Sequence, residues 1–288
     1  MVRLQFAIEL NYDVGPHGSD FIFNMQAAHT RRQTVVTEKL DISQAVVPDM
    51  HIDPVSRNRY LRLHAFAGAL KVAYSATVDI DHYVMDPAQI GEVGIDKLPL
   101  AVLPYIYPSR YCQSDRLHTF AVREFGQIWQ GYSRVQAIRD WVANHVVFTS
   151  NSTNGNTSAL DTIVEQVGVC RDFAHLMIAL CRAVNIPARF ATGIDYGADP
   201  ALGPQDFHAY VEVFLGNHWY LFDPSGTAIP MGFVRLATGR DAADAAFATI
   251  FGGVNADQPI ISIEAVPNSA GELVTPFHSQ KALSTDAA

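Results

Sequence analysis

A change of hydrophobic period partway along the chain is the strongest constraint on its fold. From residue 1 to about 108, apolar residues recur at every second position. Leu4, Phe6, Ile8 and Leu10 alternate with Gln5, Ala7 and Glu9. Phe21, Phe23 and Met25 continue the habit, as do Tyr60–Phe66 and Val72–Tyr83. Successive strand side chains point to opposite faces, so period two describes strands with one face buried. Val14-Gly15-Pro16 and Asp53-Pro54 interrupt the runs. Short alternating runs between turn-formers predict an antiparallel, sandwich-like β domain. Past Pro99, Pro104 and Pro108 the spacing becomes three and four. Leu117–Trp129 and Val135–Val146 read as helices, and Asn151–Asn156 as a turn-rich loop. Thr157–Val167 reads as a third helix, with Ser158 and Asp161 at capping-box spacing. Residues 171–184 make a fourth. It is apolar almost all round through Phe173, Ala174, Leu176, Met177, Ile178, Ala179 and Leu180, which marks a buried helix. Asn185-Ile186-Pro187 stops it. Ala188–Ile194, Ala209–Leu215 and Trp219–Phe222 then read as strands. Helices followed by strands predict an α+β core, helices packed on an antiparallel sheet, rather than a doubly wound parallel one. The expected division is a β-rich domain over 1–108 and a second domain over 109–288, frayed from about residue 277.

Composition removes several classes of function. Lys and Arg number 20 against 29 Asp and Glu, a net charge of −9. Nucleic-acid binding proteins neutralise phosphates with clustered bases, so that class is excluded. Half the residues are hydrophobic (49%) and 17% are charged, which excludes a disordered chain. The first residues alternate and include Glu9 and Asp13, unlike a signal peptide, and no run of about 18 apolar residues offers a transmembrane helix. A cytoplasmic setting without membrane contact is the expectation.

Three cysteines are too few, and odd in number, for a disulfide scaffold. Cys112 falls in the proline-marked linker and Cys181 inside the buried helix. Cys170 opens that helix after Gly168-Val169. A helix N-terminus presents unpaired N–H groups and a partial positive charge. These favour a thiolate and can receive the oxyanion formed when it attacks a carbonyl. A thiol nucleophile needs a base, and the base needs an orienting group. His208 lies 38 residues on, at the start of a strand, and Asp223 a further 15, at the end of the next. Gly216-Asn217 joins the two strands as a hairpin turn. A hairpin brings the start of one strand beside the end of the next, so His208 and Asp223 are expected side by side.

Three ordered blocks carry a family resemblance: Gly168-Val169-Cys170-Arg171-Asp172-Phe173-Ala174-His175-Leu176, then His208-Ala209-Tyr210-Val211-Glu212-Val213, then Phe222-Asp223-Pro224-Ser225. Together they resemble the bacterial transglutaminase-like superfamily, whose core is papain-like with Cys, His and Asp in this order. The β-rich half resembles the N-terminal domain that precedes this core in bacteria, and Gly239-Arg240-Asp241 a stretch that follows it. The resemblance spans most of the chain and is strongest from about 157 to 241. It implies Cys170 as nucleophile, His208 as general base and then acid, and Asp223 as holder of the imidazole. The implied activity cleaves amide or peptide bonds through an acyl-thioester, the substrate being a peptide, a protein or a small amide. Amine transfer to glutamine and a non-catalytic binding module are the alternatives. The family commonly has Trp after His-Ala; here Tyr210 stands in its place.

Other candidates read more plainly. Asp172, in the first helical turn, is expected to cap the helix. Arg171 is open between thiolate support and an exposed surface, and His175 reads as structural. Gln166 is weighed as an oxyanion donor. Trp219 and Tyr220 read as sheet packing, and Asp79 with Asp81 as a solvated strand face. No paired-histidine or Cys-x-x-Cys spacing and no EF-hand loop occurs, so no metal or cofactor is implied. The walls formed by Asp195–Gln205, and the oligomeric state, are not legible.

Overall fold

The alternating half builds the two sheets that its period calls for. The computed structural model describes residues 1–197, 201 and 205–287. Its first strands are β1 (Val2–Val14), β2 (Ser19–Phe23), β3 (Gln33–Ile42), β4 (Asp49–Ile52), β5 (Arg59–Ala65) and β6 (Gly68–Ile80). β1 runs antiparallel to β6 along its whole length, and β3 flanks β6 on the other side. β2, β5 and β4 lie in the second sheet. The alternation decides the packing. Leu4, Phe6, Ile8 and Leu10 on β1 meet Phe21, Phe23, Leu61 and Leu63 from the opposing sheet in one core. Burying each such side chain contributes roughly 1.5–3 kcal/mol. Asp79 is ion-paired with Arg3, and Asp81 with Arg32.

β7 (Tyr83–Met85) and three 3-10 turns (87–89, 95–97 and 100–105) carry the chain through its prolines to the helices. These are α1 (Ser114–Phe125), α2 (Tyr132–His145), α3 (Ala159–Glu165) and α4 (Cys170–Ala183). The two-residue strands β8 (Val147–Phe148) and β9 (Val167–Gly168) pair beside them. α1 ends at Phe125, capped by Gly126, four residues before Trp129, which is left exposed. At α3 the Asp161 carboxylate accepts from both the Ser158 N–H and its hydroxyl, as the capping spacing required. α4 is buried from Asp172 to Ala183, packed between the other helices and a sheet of β10 (Ala188–Asp195), β11 (Phe207–Leu215), β12 (His218–Phe222) and β13 (Phe233–Gly239). That sheet is antiparallel, in the order β12-β11-β10-β13. Cys112, expected in a linker, is fully buried in the helical core.

Two expectations about the later chain need correction. After α5 (Ala242–Ala245), β14 (Ala248–Phe251) pairs with β2, and β15 (Val254–Ala256) and β16 (Ile260–Ala265) both pair with β1. The stretch 109–288 is therefore not one domain; residues 248–265 return to the sandwich. The open edges of β1 and β2 take strands from far along the chain, and local pattern carries no sign of which strand fills an edge. The tail is not frayed either. β17 (Ala282–Ser284) pairs with β7 and is buried, and Asp286 binds Arg189 at 2.7 Å. Its anchors are charges distant in sequence.

The two parts are joined along β13. The Gln33 and Asn58 side-chain amides bond the main chain of Arg235 and Thr238 as a neighbouring strand would. Ile194, Val234 and Leu236 extend into the sandwich core.

Candidate active site

Cys170 is the first residue of α4 and is half-buried, whereas Cys112 and Cys181 are wholly buried. Burial pushes the Cys112 thiol up to about 12 and raises that of Cys181 as well. Cys170 is thus the thiol placed to react. The chain reaches it through a tight entry. A Cβ on Gly168 would lie 2.8 Å from that of Asp172, so glycine is needed there. Asp172 caps the helix as expected. Its Oδ2 accepts from the Val169 N–H at 3.0 Å and from the Thr153 hydroxyl at 2.5 Å. Arg171 donates to the Asp172 Oδ1 at 3.0 Å and to the Asn154 carbonyl at 2.9 Å. It ties the 151–156 loop to the helix start, a role the sequence reading left open.

The hairpin does what its turn residues require. Gly216 and Asn217 both have positive φ, 51° and 66°, and β11 and β12 run in register from Val211↔Phe222 to Leu215↔His218. His208 near the start of β11 therefore meets Asp223 just past β12. The His208 Nε2 faces the Asp223 Oδ1 at 3.4 Å. Cys170 adds to the interactions that keep the same ring protonated, so the thiol lies in its neighbourhood and the three residues singled out from the sequence share one site.

Burial sets the electrostatics. His208 and Asp223 are 8% and 4% exposed. Burial disfavours charge on His208, but the Asp223 carboxylate, with a further contribution from Cys170, outweighs it and holds the imidazole well above its usual value. Burial likewise disfavours the Asp223 charge. The His208 ring and hydrogen bonds from Ser225 and Ala228 reverse this and lower its carboxyl. Both shifts favour an imidazolium beside a carboxylate. Asp223 is fixed by the Ser225 N–H at 3.0 Å, the Ser225 hydroxyl at 2.6 Å and the Ala228 N–H at 3.0 Å. An Asp whose side chain bonds the backbone two residues on is an Asx turn, so the Asp223-Pro224-Ser225 run held a readable signal for Ser225.

The remaining candidates separate cleanly. His175 is fully buried and stacked on Tyr111 at 4.9 Å, its Nε2 accepts from the Ala242 N–H, and burial lowers it to about 3. It is structural. Trp219 packs against Arg189, Tyr105 and Phe214, and Tyr220 is buried in the core, as sheet residues. Gln166 is exposed at the left-handed C-cap of α3 and, among the described residues, makes no hydrogen bond to Cys170, His208 or Asp223. Asp195 was missed: it accepts a bond from the Tyr210 hydroxyl beside His208. No motif flags it, because the pairing spans two strands. Of the Asp195–Gln205 stretch, residues 198–200 and 202–204 lie outside the described residues. Among the described residues no helix is long and apolar enough to cross a membrane.

Comparison with known proteins agrees with this architecture. Residues 2–101 match the bacterial transglutaminase N-terminal domain, and residues 121–224 match the transglutaminase-like superfamily core. A solved structure of a candidate cysteine protease from Cytophaga hutchinsonii is 39% identical, with a TM-score of 0.90 over 98% of this chain and 97% of that one. An uncharacterised protein of Mycobacterium leprae is 28% identical over 117 residues, 39% of this chain and 42% of that protein. One from Mycobacterium tuberculosis, Rv2569c, is 27% identical over 124 residues, 38% and 40% of the two chains. The match thus spans about two fifths of the length of these curated relatives. With an antiparallel core sheet, a buried helix opened by Cys170 and a full-length structural relative, the chain belongs to the transglutaminase-like superfamily.

Proposed function

We propose that this protein is a thiol-dependent acyl-transfer enzyme that cleaves amide or peptide bonds. Cys170 is the nucleophile, His208 the general base and then acid, and Asp223 the group that orients the imidazole. One observation carries the reading. The half-exposed thiol at the start of α4 lies near an imidazole whose Nε2 faces a buried, fully hydrogen-bonded carboxylate. With Nε2 facing Asp223, Nδ1 is left for the thiol proton. The thiolate attacks the substrate carbonyl, and the N–H groups of the first turn of α4 receive the oxyanion. Collapse breaks the C–N bond. The leaving amine takes the proton from His208, and an acyl-thioester stays on Cys170. Water, giving its proton to His208, then attacks the thioester and releases the acid and the thiol. The similarity to a candidate cysteine protease supports water over an amine as acceptor. The substrate is a peptide, a protein or a small amide, and the three free thiols support a cytoplasmic setting.

Iodoacetamide should alkylate Cys170 at neutral pH, read by peptide mass mapping, and Cys170→Ala should abolish turnover of a peptide library. Labelling of Cys170 only above pH 9 sinks the reading. Incorporation of a fluorescent primary amine into glutamine-bearing casein, without hydrolysis, replaces it with amine transfer. Undiminished peptide binding by the triple alanine variant of Cys170, His208 and Asp223, with no turnover by the wild type, replaces it with a binding module.

A further inference from the structure

One buried pair beside His208 has no part in the steps above. Asp195 ends β10 and is 2% exposed. Its Oδ1 accepts from the Gly197 N–H at 2.6 Å and from the Ile229 N–H at 3.2 Å, and its Oδ2 from the Tyr210 hydroxyl. Tyr210 is fully buried. Its ring lies 4.1 Å from that of Phe233 on one side and meets the His208 imidazole edge-to-face at 4.8 Å and 75° on the other. A buried carboxylate is costly unless its oxygens are bonded, and here three donors converge on it. For filling the space beside His208, phenylalanine would suffice. A hydroxyl joined to a buried carboxylate does more, because it fixes where the ring sits.

We propose that Asp195, acting through Tyr210, is a positioning residue for His208: the hydroxyl–carboxylate bond pins the Tyr210 ring, and the pinned ring edge holds the imidazole between Cys170 and Asp223. The proposal rests on His208 being the base. Burial raises the Asp195 carboxyl, and the nearby His208 acts in the opposite direction. The titratable groups around His208 are Cys170 from α4, Asp223 beyond β12, Asp195 from β10, and Asp206 and Tyr210 before and on β11.

The test follows Cys170 alkylation by iodoacetamide from pH 5 to 9.5, with melting curves alongside. Asp195→Asn keeps the size of the side chain and the oxygen that accepts from Gly197 and Ile229, and removes both its charge and the oxygen that accepts from Tyr210. Tyr210→Phe keeps the ring and removes the tether, and it serves in place of Asp195→Asn if that variant does not fold. For Asp195→Asn the expected loss is several-fold in rate at pH 6 with no change at pH 9.5. Tyr210→Phe should lose several-fold at pH 6. Folded variants whose profiles superimpose on the wild type overturn the proposal while leaving the role of His208 intact. A wild-type Cys170 that reacts at pH 6 no faster than free cysteine removes His208 as its base, and Asp195 with it.

Discussion

Asn in place of Asp286 should release β17 from the body of the protein without unfolding it. Asp286 sits between Arg189 and Arg235, and Glu212 faces the same two guanidinium groups. Arg189, Arg235 and Glu212 are nearly excluded from solvent. Burial alone would raise the Asp286 carboxyl. The two arginines reverse this and hold it at about 2, against 3.8 for an ordinary aspartate. At about 1.36 kcal/mol per pH unit, the ionised carboxylate contributes about 2.5 kcal/mol. The folded value lies below the unfolded one, so this stability is whole above about pH 4 and drains away as pH falls toward 2. Asp286→Asn forfeits it at neutral pH, and it also leaves two buried arginines facing one glutamate, so the figure is a floor. Local opening of 282–287 should become at least about 50-fold more frequent. Amide exchange followed by mass spectrometry should show that acceleration at neutral pH, with α4 unchanged. Exchange of 282–287 within threefold of wild type refutes the reasoning. Equal acceleration of α4 refutes it too, because Asp286 would then support the whole fold rather than one strand.

Further expectations address the site and its surroundings. Asp223→Asn should keep the fold, since its one amide oxygen can still accept from Ser225 while only the Ala228 N–H bond is lost, yet lower turnover at least about 100-fold by removing the charge that pairs with imidazolium; a loss under threefold in steady-state assays contradicts the assigned role. Gly193→Ala would place a Cβ 2.0 Å from the Val234 carbonyl oxygen at the bulge of β10. Because backbone cannot yield as a side chain can, the cost should be about 3 kcal/mol or more, measured by urea midpoint. His175 is held neutral down to about pH 3, whereas in the unfolded chain it takes a proton below about 6.5. Its stability contribution is therefore whole above 6.5 and shrinks with acid. The stability of the wild type relative to His175→Phe should fall by about 2 kcal/mol between pH 7.5 and 5, and a pH-independent difference in urea unfolding would contradict the burial argument.

Much of the site was legible because its signals are local. The buried helix shows in its unbroken apolar run, the hairpin in Gly216-Asn217, and the candidate nucleophile in a cysteine that opens a helix. Those signals bring His208 beside Asp223 with no knowledge of the rest of the fold. Asp195 and Tyr210 were not legible as a pair. Their contact depends on the register of β10 against β11 and on loop geometry around Gly197 and Ile229.

The sequence by itself determined the alternating β half, the helices and hairpin of the core, and the order of Cys170, His208 and Asp223, since each rests on periodicity or on residues a few positions apart. Only the tertiary structure decided that β14–β16 close the sandwich edges, that β17 is held by β7 and by the Asp286 charge, and that Cys112 is core rather than linker. Most of these are pairings between segments about two hundred or more residues apart. A strand edge accepts whatever extended segment the fold delivers to it, and a buried charge is settled by partners that sequence proximity does not reveal.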